Sequence, residues 1–248
     1  MIKEKKIEEV PKGVKKEKEF EKELWKPKTN LGKKVKNGEI KDINEIFDEG
    51  LKIMECQIVD LLLPDLEISL LSVGQSKGKF GGGKKSIWKQ TQKKTKEGNK
   101  PKFATLAIVG NKNGYIGMGY GKSKETMPAK EKAIRKAKLN LIRIIRGCGS
   151  WTCNCQNPHS IPFKVKGNCS STIIELIPAP KGTKLCIETE CQQILNLAGI
   201  KDIYSKTKNT KTKLNLVKSC FNALKELSNI KIKEDYIKKA GIKIGKIT

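Results

Sequence analysis

The stretch Phe103-Ala-Thr-Leu-Ala-Ile-Val-Gly-Asn-Lys-Asn-Gly-Tyr-Ile-Gly-Met-Gly-Tyr-Gly121 contains two β-forming runs separated by a short turn. Residues 103–109 and 115–120 are rich in apolar, β-branched and aromatic side chains. The Asn113-Gly114 pair between them is the strongest short-range signal for a hairpin. The sequence therefore predicts an antiparallel hairpin here.

A helix is predicted directly after this hairpin, over residues 126–146. Thr126 can cap its N-terminus, and Pro128 suits its first turn. Its expected buried stripe is Ala129, Ala133, Ala137, Leu141 and Ile145, and the opposite face is basic. Residues 67–73 resemble a further strand, so three strands covered by one basic helix predict a small α+β layer.

The rest of the chain is predicted to contain shorter elements. Short helices are expected within 43–63, strands at 163–167, 171–178 and 203–205, and helices at 190–198 and 214–227. We divide the chain into five parts: a charged flexible arm (1–42), N-terminal helices with the α+β layer (43–146), a Cys/His knuckle (147–160), a second α+β domain (161–228) and a basic tail (229–248).

The positive charge of the chain is unevenly distributed. The 248 residues carry a formal net charge of +26, yet residues 1–55 contain 15 basic and 13 acidic side chains, whereas residues 75–146 contain 20 basic and 3 acidic ones. An excess of this size favours a polyanionic partner. Because aromatic residues make up only 5% of the chain, we expect contacts with structured RNA more than extensive stacking on unpaired bases.

Two glycine-lysine segments resemble phosphate-binding loops without matching them. In residues 78–85, Lys85 stands where such a loop needs Ser or Thr, and the segment 117–123 is one residue too short. We instead interpret residues 74–102 as a glycine-rich basic loop that lies against RNA and is disordered without it. The hairpin, the Gly121-Lys-Ser-Lys124 segment and the helix follow the order used by double-stranded-RNA-binding modules.

The predicted RNA contacts are basic side chains in and around this loop, hairpin and helix. They are Lys77, Lys79, Lys84, Lys85, Lys89, Lys93, Lys94, Lys96, Lys102, Lys112, Lys122, Lys124, Lys130 and Arg135.

A Cys/His cluster lies between the two predicted domains. Cys148, Cys153, Cys155 and His159 have spacings that suit a small tetrahedral zinc site, and Cys169 is an alternative ligand. Loop thiols beside a solvated histidine, or a redox pair, are the other interpretations. The remaining cysteines, at 56, 186, 191 and 220, are expected to be small core residues.

Catalysis is not indicated by the sequence. The chain has a single histidine, no paired carboxylates on a common face and no nucleophile elbow, so we expect a non-enzyme. A zinc-dependent RNA-processing enzyme and a free regulator that binds double-stranded RNA remain as alternatives. The absence of a long apolar run or a signal-peptide pattern leads us to expect a cytoplasmic location.

Six segments resemble the universal small-subunit ribosomal protein five family in its archaeal form. They are IVDLLLP (58–64), AIVGNKNGYIGMGYG (107–121), RGCGSWTC (146–153), PHSIPF (158–163), ELIPAPKG (175–182) and LAGIKD (197–202). These segments occur in order over residues 43–228.

The resemblance implies a double-stranded-RNA-binding-like domain followed by a small α+β domain with a left-handed crossover. It also implies a structural constituent of the small ribosomal subunit that binds small-subunit rRNA. Ribosomal proteins three, four and eight are the implied neighbours. With such neighbours, members of the family help to form the region where mRNA enters and support decoding accuracy.

Overall fold

The computed structural model describes residues 25–76, 85–153, 155–239 and 241–245. The helices are α1 (Asn30–Asn37), α2 (Ile43–Asp48), α3 (Cys56–Leu62), α4 (Thr126–Leu139), α5 (Thr189–Ala198), α6 (Lys213–Asn229) and α7 (Glu234–Lys239). The strands are β1 (Glu67–Leu70), β2 (Lys89–Thr95), β3 (Gly98–Gly110), β4 (Tyr115–Ser123), β5 (Leu141–Arg143), β6 (Ile145–Arg146), β7 (Val165–Cys169), β8 (Thr172–Pro178), β9 (Leu185–Cys186), β10 (Ile203–Lys208) and β11 (Lys243–Ile244). This mixture of helices and sheets confirms the predicted α+β class.

The first sheet is built around the predicted hairpin of β3 and β4. Its strand order is β1-β3-β4-β5, and β2 also pairs with β3, beyond the stretch that pairs with β1. The antiparallel register of β3 and β4 runs from Phe103 opposite Ser123 to Gly110 opposite Ile116. The hairpin is thus longer than the 103–109 and 115–120 runs predicted for it.

Helix α4 covers one face of this sheet at very short range. A Cβ atom added at Gly117, Gly119 or Gly121 would lie 2.1–2.2 Å from a carbonyl oxygen of α4. Those oxygens belong to Ala137, Ala133 and Ala129, in that order. Two residues along a strand and four along a helix cover about the same distance, 6–7 Å. Every second residue of β4 therefore meets every fourth residue of α4.

The second unit is a four-stranded sheet of order β7-β8-β10-β9. Its strands pair antiparallel except for β9 and β10, which are parallel and are joined through α5. A parallel pair requires a crossover connection, and α5 lies in that connection here. Helix α6 packs on β7 at Gly167, where an added Cβ would lie 2.2 Å from the Ser219 carbonyl oxygen.

One hydrophobic core joins the two sheets. The face of the first sheet opposite α4 contributes Leu106, Ile108 and Ile116, and the second unit contributes side chains such as Ile194 and Leu224. Both faces of β3 and β4 are therefore buried over most of the hairpin.

The predicted flexible arm is wrong for residues 25–42. Trp25 is buried, and α1 begins after Thr29, whose hydroxyl accepts from the Gly32 amide at 3.0 Å. Glu55 holds this segment by accepting from Trp25 Nε1 at 3.0 Å and from the Thr29 amide at 2.7 Å. The scattered apolar residues of the arm pack against α2 and α3, which the sparse pattern did not reveal.

The basic loop predicted at 74–102 is also wrong over much of its length. Residues 89–95 form β2, which pairs with the start of β3 across a turn closed by Thr95 Oγ1 donating to the Gly98 carbonyl at 2.8 Å. Gly98 has a φ of +112°, a conformation that glycine adopts without strain. This hairpin carries almost no apolar side chains, so its strands leave no hydrophobic pattern. Residues 77–84 lie outside the described residues.

Helix α4 ends seven residues earlier than predicted. Asn140 terminates it and donates its side-chain amide to the Met118 carbonyl at 3.1 Å, and β5 and β6 follow. Leu141 and Ile145 are buried as expected, but on strands instead of the helix. Thr126 is the first helical residue and not the cap, which is Glu125.

The basic tail is folded in part. Residues 234–239 form α7, β11 pairs with β6, and Ile242 is buried in the shared core. Arg146 on β6 is only 3% exposed and joins this tail to the β3–β4 turn. Its Nη2 donates to Asn113 Oδ1 at 3.0 Å and to the Gly245 carbonyl at 3.1 Å. Burial lowers the pKa of Arg146 below its ordinary value.

The other predicted elements occur close to their expected positions. The short helices within 43–63, the strand after residue 67, the strands β7, β8 and β10, and helices α5 and α6 are confirmed with small shifts at their ends. In the part of the chain that the structure describes, no helix combines the length and apolar character needed to cross a membrane.

The contact between α4 and β4 predicts a strong effect of Gly119→Ala. The new methyl group would overlap the backbone of α4, so we expect the free energy of unfolding to fall by about 3 kcal/mol. Urea unfolding of the full chain measures it, with Lys122→Ala on the same strand as the control, because that side chain is exposed. A loss below about 0.5 kcal/mol for Gly119→Ala would contradict this packing.

Candidate nucleic-acid interface and metal centre

Five lysines lie on one face of the β2–β3–β4 sheet extension. Residues directly opposite each other in an antiparallel pair point to the same side, and so do alternate residues along a strand. Lys89 pairs with Ala104, Ala104 with Lys122, and Lys93 with Lys100. We call this set the lysine face: Lys89, Lys93, Lys100, Lys102 and Lys122. All five side chains are exposed.

The lysine face holds five positive charges close together, and Glu97 is the one acidic residue paired with them among the described contacts. Lys93 and Lys100 stand directly opposite each other, an arrangement that destabilises a strand pair in water. Glu97 partly offsets it through an ion pair with Lys100 at 2.7 Å, and both of these side chains are well exposed. A bound polyanion would neutralise the remaining charge.

The lysine face continues toward helix α6. Tyr120 lies on the same side of the sheet as Lys122, one step closer to the shared core. Lys218 of α6 places its Nζ 6.0 Å from the centroid of the Tyr120 ring. The two units thus present basic groups side by side at this end of the molecule.

The other predicted contacts fall in three places. Lys94 lies on the opposite face of β2, Lys96 lies in the turn, and Lys85 is half-buried in a bridge with Ser76. Lys124 lies just before α4, Lys130 in its first half and Arg135 in its second half. Lys77, Lys79 and Lys84 lie outside the described residues.

Lys112 is separate from all of these. It lies at the turn end of the β3–β4 hairpin, eight residues of strand beyond the level of Lys102 or about 27 Å. Its ammonium group forms an ion pair with Glu67, and its backbone amide donates to the Leu197 carbonyl at 2.9 Å. The structure therefore does not bring Lys112 together with the lysine face.

The glycines of 117–121 are occupied by packing. Each faces the backbone of α4, which leaves no space for a phosphate on that side. The structure thus explains this glycine-lysine segment without a nucleotide. The segment 78–85 lies almost entirely outside the described residues.

The Cys/His cluster is assembled in space. The ligand atoms of Cys148, Cys153, Cys155 and His159 all lie within 4.8 Å of one another. Three thiols and one imidazole are a donor set that a tetrahedral metal ion accepts. Cys169, the alternative ligand, is not part of this group.

His159 is oriented by a residue that the sequence did not single out. Its Nδ1 lies 2.8 Å from Asp202 Oδ2, and its Nε2 lies 3.8 Å from Cys153 Sγ. Asp202 is itself held by the amides of Gly182 and Lys184, which donate to its Oδ1 at 3.1 and 2.8 Å. A carboxylate behind a ligating histidine is a common feature of metal sites.

Two thiols of the cluster have displaced pKa values. The backbone amide of Lys181, followed by the Cys155 thiol, stabilises the thiolate and lowers the pKa of Cys153 to about 6. Burial, followed by the neighbouring thiols, raises the pKa of Cys148 to about 11. Cys153 is therefore the thiolate most readily available to a cation.

The four remaining cysteines do not behave alike. Cys191 and Cys220 are buried in the core as predicted, and Cys56 is half-buried. Cys186 is exposed at the edge strand β9, so its prediction as a core residue is wrong. Cys186 pairs with Tyr204 in the two-residue strand β9, and it is its neighbours Leu185 and Ile187 that pack against the core.

Sequence reasoning missed Lys100 and Asp202. Lys100 could have been found by pairing residues 89–95 with residues 99–102 as a hairpin across Lys96-Glu97-Gly98. Asp202 lies 43 residues from His159, and no local pattern connects the two.

Two family models match the chain. The model described as "Ribosomal protein S5, N-terminal domain" matches residues 87–145, and the model described as "Ribosomal protein S5, C-terminal domain" matches residues 167–239.

Archaeal relatives match nearly the whole chain. The chain is 46% identical to the small ribosomal subunit protein uS5 of Nanoarchaeum equitans over 91% of its length and 97% of that protein. The uS5 proteins of Methanobrevibacter smithii and Methanocaldococcus jannaschii are also 46% identical, over 88% and 90% of this chain and 96% of each relative.

Proposed function

Since the chain belongs to the ribosomal protein S5 family and is a structural, non-catalytic constituent of the small ribosomal subunit, we propose that its lysine face binds small-subunit rRNA. The observation that carries this proposal is the alternation of lysines on one side of β2, β3 and β4. Successive side chains on that side are about 7 Å apart, so several can meet phosphates at once.

The form of the surface favours recognition of shape over sequence. The side chains of the lysine face end in ammonium groups, which are point charges without a planar pairing geometry. Lys124 lies just before α4, and Lys130 and Arg135 lie on α4, which covers the opposite side of the sheet; they provide a second, separate row of phosphate ligands. Such a surface fits the backbone of folded RNA.

We also propose that the chain works where mRNA enters the small subunit of a cytoplasmic ribosome. Ribosomal proteins three, four and eight are its proposed neighbours, and support of decoding accuracy is its proposed contribution. Membership of the family supports this assignment.

We further propose that the Cys/His cluster binds zinc. Cys148, Cys153, Cys155 and His159 would hold the ion, which would supply a cross-link between β6 and the segment before β7. Four protein ligands leave no open position for a substrate, so the role is structural. Asp202 fixes the His159 ring so that Nε2 faces the thiols.

Replacing Lys89, Lys102 and Lys122 together with alanine should weaken binding to small-subunit rRNA. Because each lost phosphate contact releases about one counterion fewer, the slope of log K against log salt should fall by about 2.7. Filter binding of the purified chain at several salt concentrations measures both quantities. The control replaces Lys206, Lys208 and Lys211 of the second unit, which carry the same charge. Equal losses in the two triple variants would contradict a specific lysine face.

Asp202→Asn should weaken zinc binding by about 10- to 100-fold, because the amide no longer holds His159 in the ligating orientation. Competition with a chromogenic zinc chelator measures this affinity, with the exposed Asp65→Asn as the control. A wild-type chain purified without zinc, and without affinity for it, would rule out the metal proposal.

Cross-linking of native small subunits with a lysine-reactive reagent should join this chain to ribosomal proteins three, four and eight. Mass spectrometry of the linked peptides identifies the neighbours. Links only to proteins other than these three would contradict the proposed position.

A further inference from the structure

Trp151 is displayed at the tip of a turn within the Cys/His segment. Its relative exposure is 104%, so no other part of the described chain covers it. The Cys153 amide donates to the Ser150 carbonyl at 3.3 Å and closes the turn. The hydroxyls of Ser150 and Thr152, the residues before and after Trp151 in the sequence, lie 3.2 Å apart.

The base of this turn is fixed to the body of the protein. Cys148 Sγ donates to the Cys153 carbonyl at 3.2 Å, which ties the two ends of the turn together. Gly149 lies so close to the backbone of Pro162 that an added Cβ would be 2.0 Å from its carbonyl oxygen. The turn that carries the indole is therefore held at its base by these contacts.

The surroundings of Trp151 are cationic. No acidic residue occurs between Gly147 and Ile174. Three exposed lysines are attached to the cluster through their main chain. The Lys184 amide donates to Asp202 and the Lys201 amide to the His159 carbonyl, each at 2.8 Å, and Lys181 precedes Gly182, whose amide also donates to Asp202.

This surface is distant from the lysine face. It follows β6, whose Arg146 contacts Asn113 in the β3–β4 turn, whereas the lysine face lies at the other end of the same hairpin. A partner at Trp151 is therefore a separate contact of the molecule.

We propose that Trp151 stacks on an unpaired RNA base while Lys181, Lys184 and Lys201 bind the neighbouring phosphates. An indole face accepts any base, and lysines around it take up the backbone, which is how proteins hold single-stranded RNA. The exposed lysines at 181, 184 and 201 favour a polyanion over a protein as the partner. The inference rests on the proposed rRNA-binding function and adds a second, single-stranded contact to it.

The test uses the full chain and an unstructured 12-nucleotide oligouridine, with affinity measured by fluorescence anisotropy. Trp151→Ala should weaken binding about tenfold without changing the salt slope, because stacking releases no counterions. Trp151→Phe should stay within about threefold of wild type. Replacing Lys181 and Lys184 together with alanine should lower the slope by about 1.4. Tyr204→Ala, which removes another exposed aromatic ring, is the control and should bind as wild type.

Wild-type affinity of Trp151→Ala would overturn the inference. Because the oligouridine assay of Trp151 leaves the lysine face intact, this outcome is distinguishable from failure of the rRNA proposal. In native small subunits irradiated with ultraviolet light, we expect a nucleotide adduct on the tryptic peptide 147–164. A cross-link of that peptide to another protein instead would assign Trp151 to a protein partner and would likewise overturn the inference.

Discussion

The close packing of β4 on α4 is the constraint on which the rest of the structure depends. Gly117, Gly119 and Gly121 leave no side chain between the strand and the helix, so the two backbones meet directly. That contact fixes the height of α4 above the sheet and the register of β4. The register in turn decides which residues of β2 and β3 share a side with Lys122.

The shared core explains why the charged surface lies at one end of the first sheet. Over residues 104–110, β3 is covered by α4 on one face and by the second unit on the other, which leaves no free surface there. The earlier residues of β3, 98–103, form an uncovered hairpin with β2. The sheet therefore projects a basic extension whose stability does not depend on apolar burial, and a polyanion is the partner that suits it.

Parts of this fold could be predicted from the sequence because their signals are local. Asn113-Gly114 and the flanking apolar runs predicted the hairpin, and the cysteine spacing predicted the cluster. The β2 strand could not be recognised, since it carries almost no apolar residue. Leu141 and Ile145 fit a helical stripe as well as a strand, so the end of α4 was misplaced. Asp202 contacts His159, which lies 43 residues earlier in the chain, and no sequence motif predicts a contact between residues so far apart.

Binding of rRNA by the lysine face in the small subunit is the proposal on which the role of the β2–β3 hairpin depends. A cryo-electron microscopy map of native small subunits containing this chain tests it most directly. We expect the β2–β3 hairpin to lie against the RNA backbone and the lysine face to lie within contact distance of rRNA phosphates. A hairpin that faces solvent, or packs only against another protein, would contradict it.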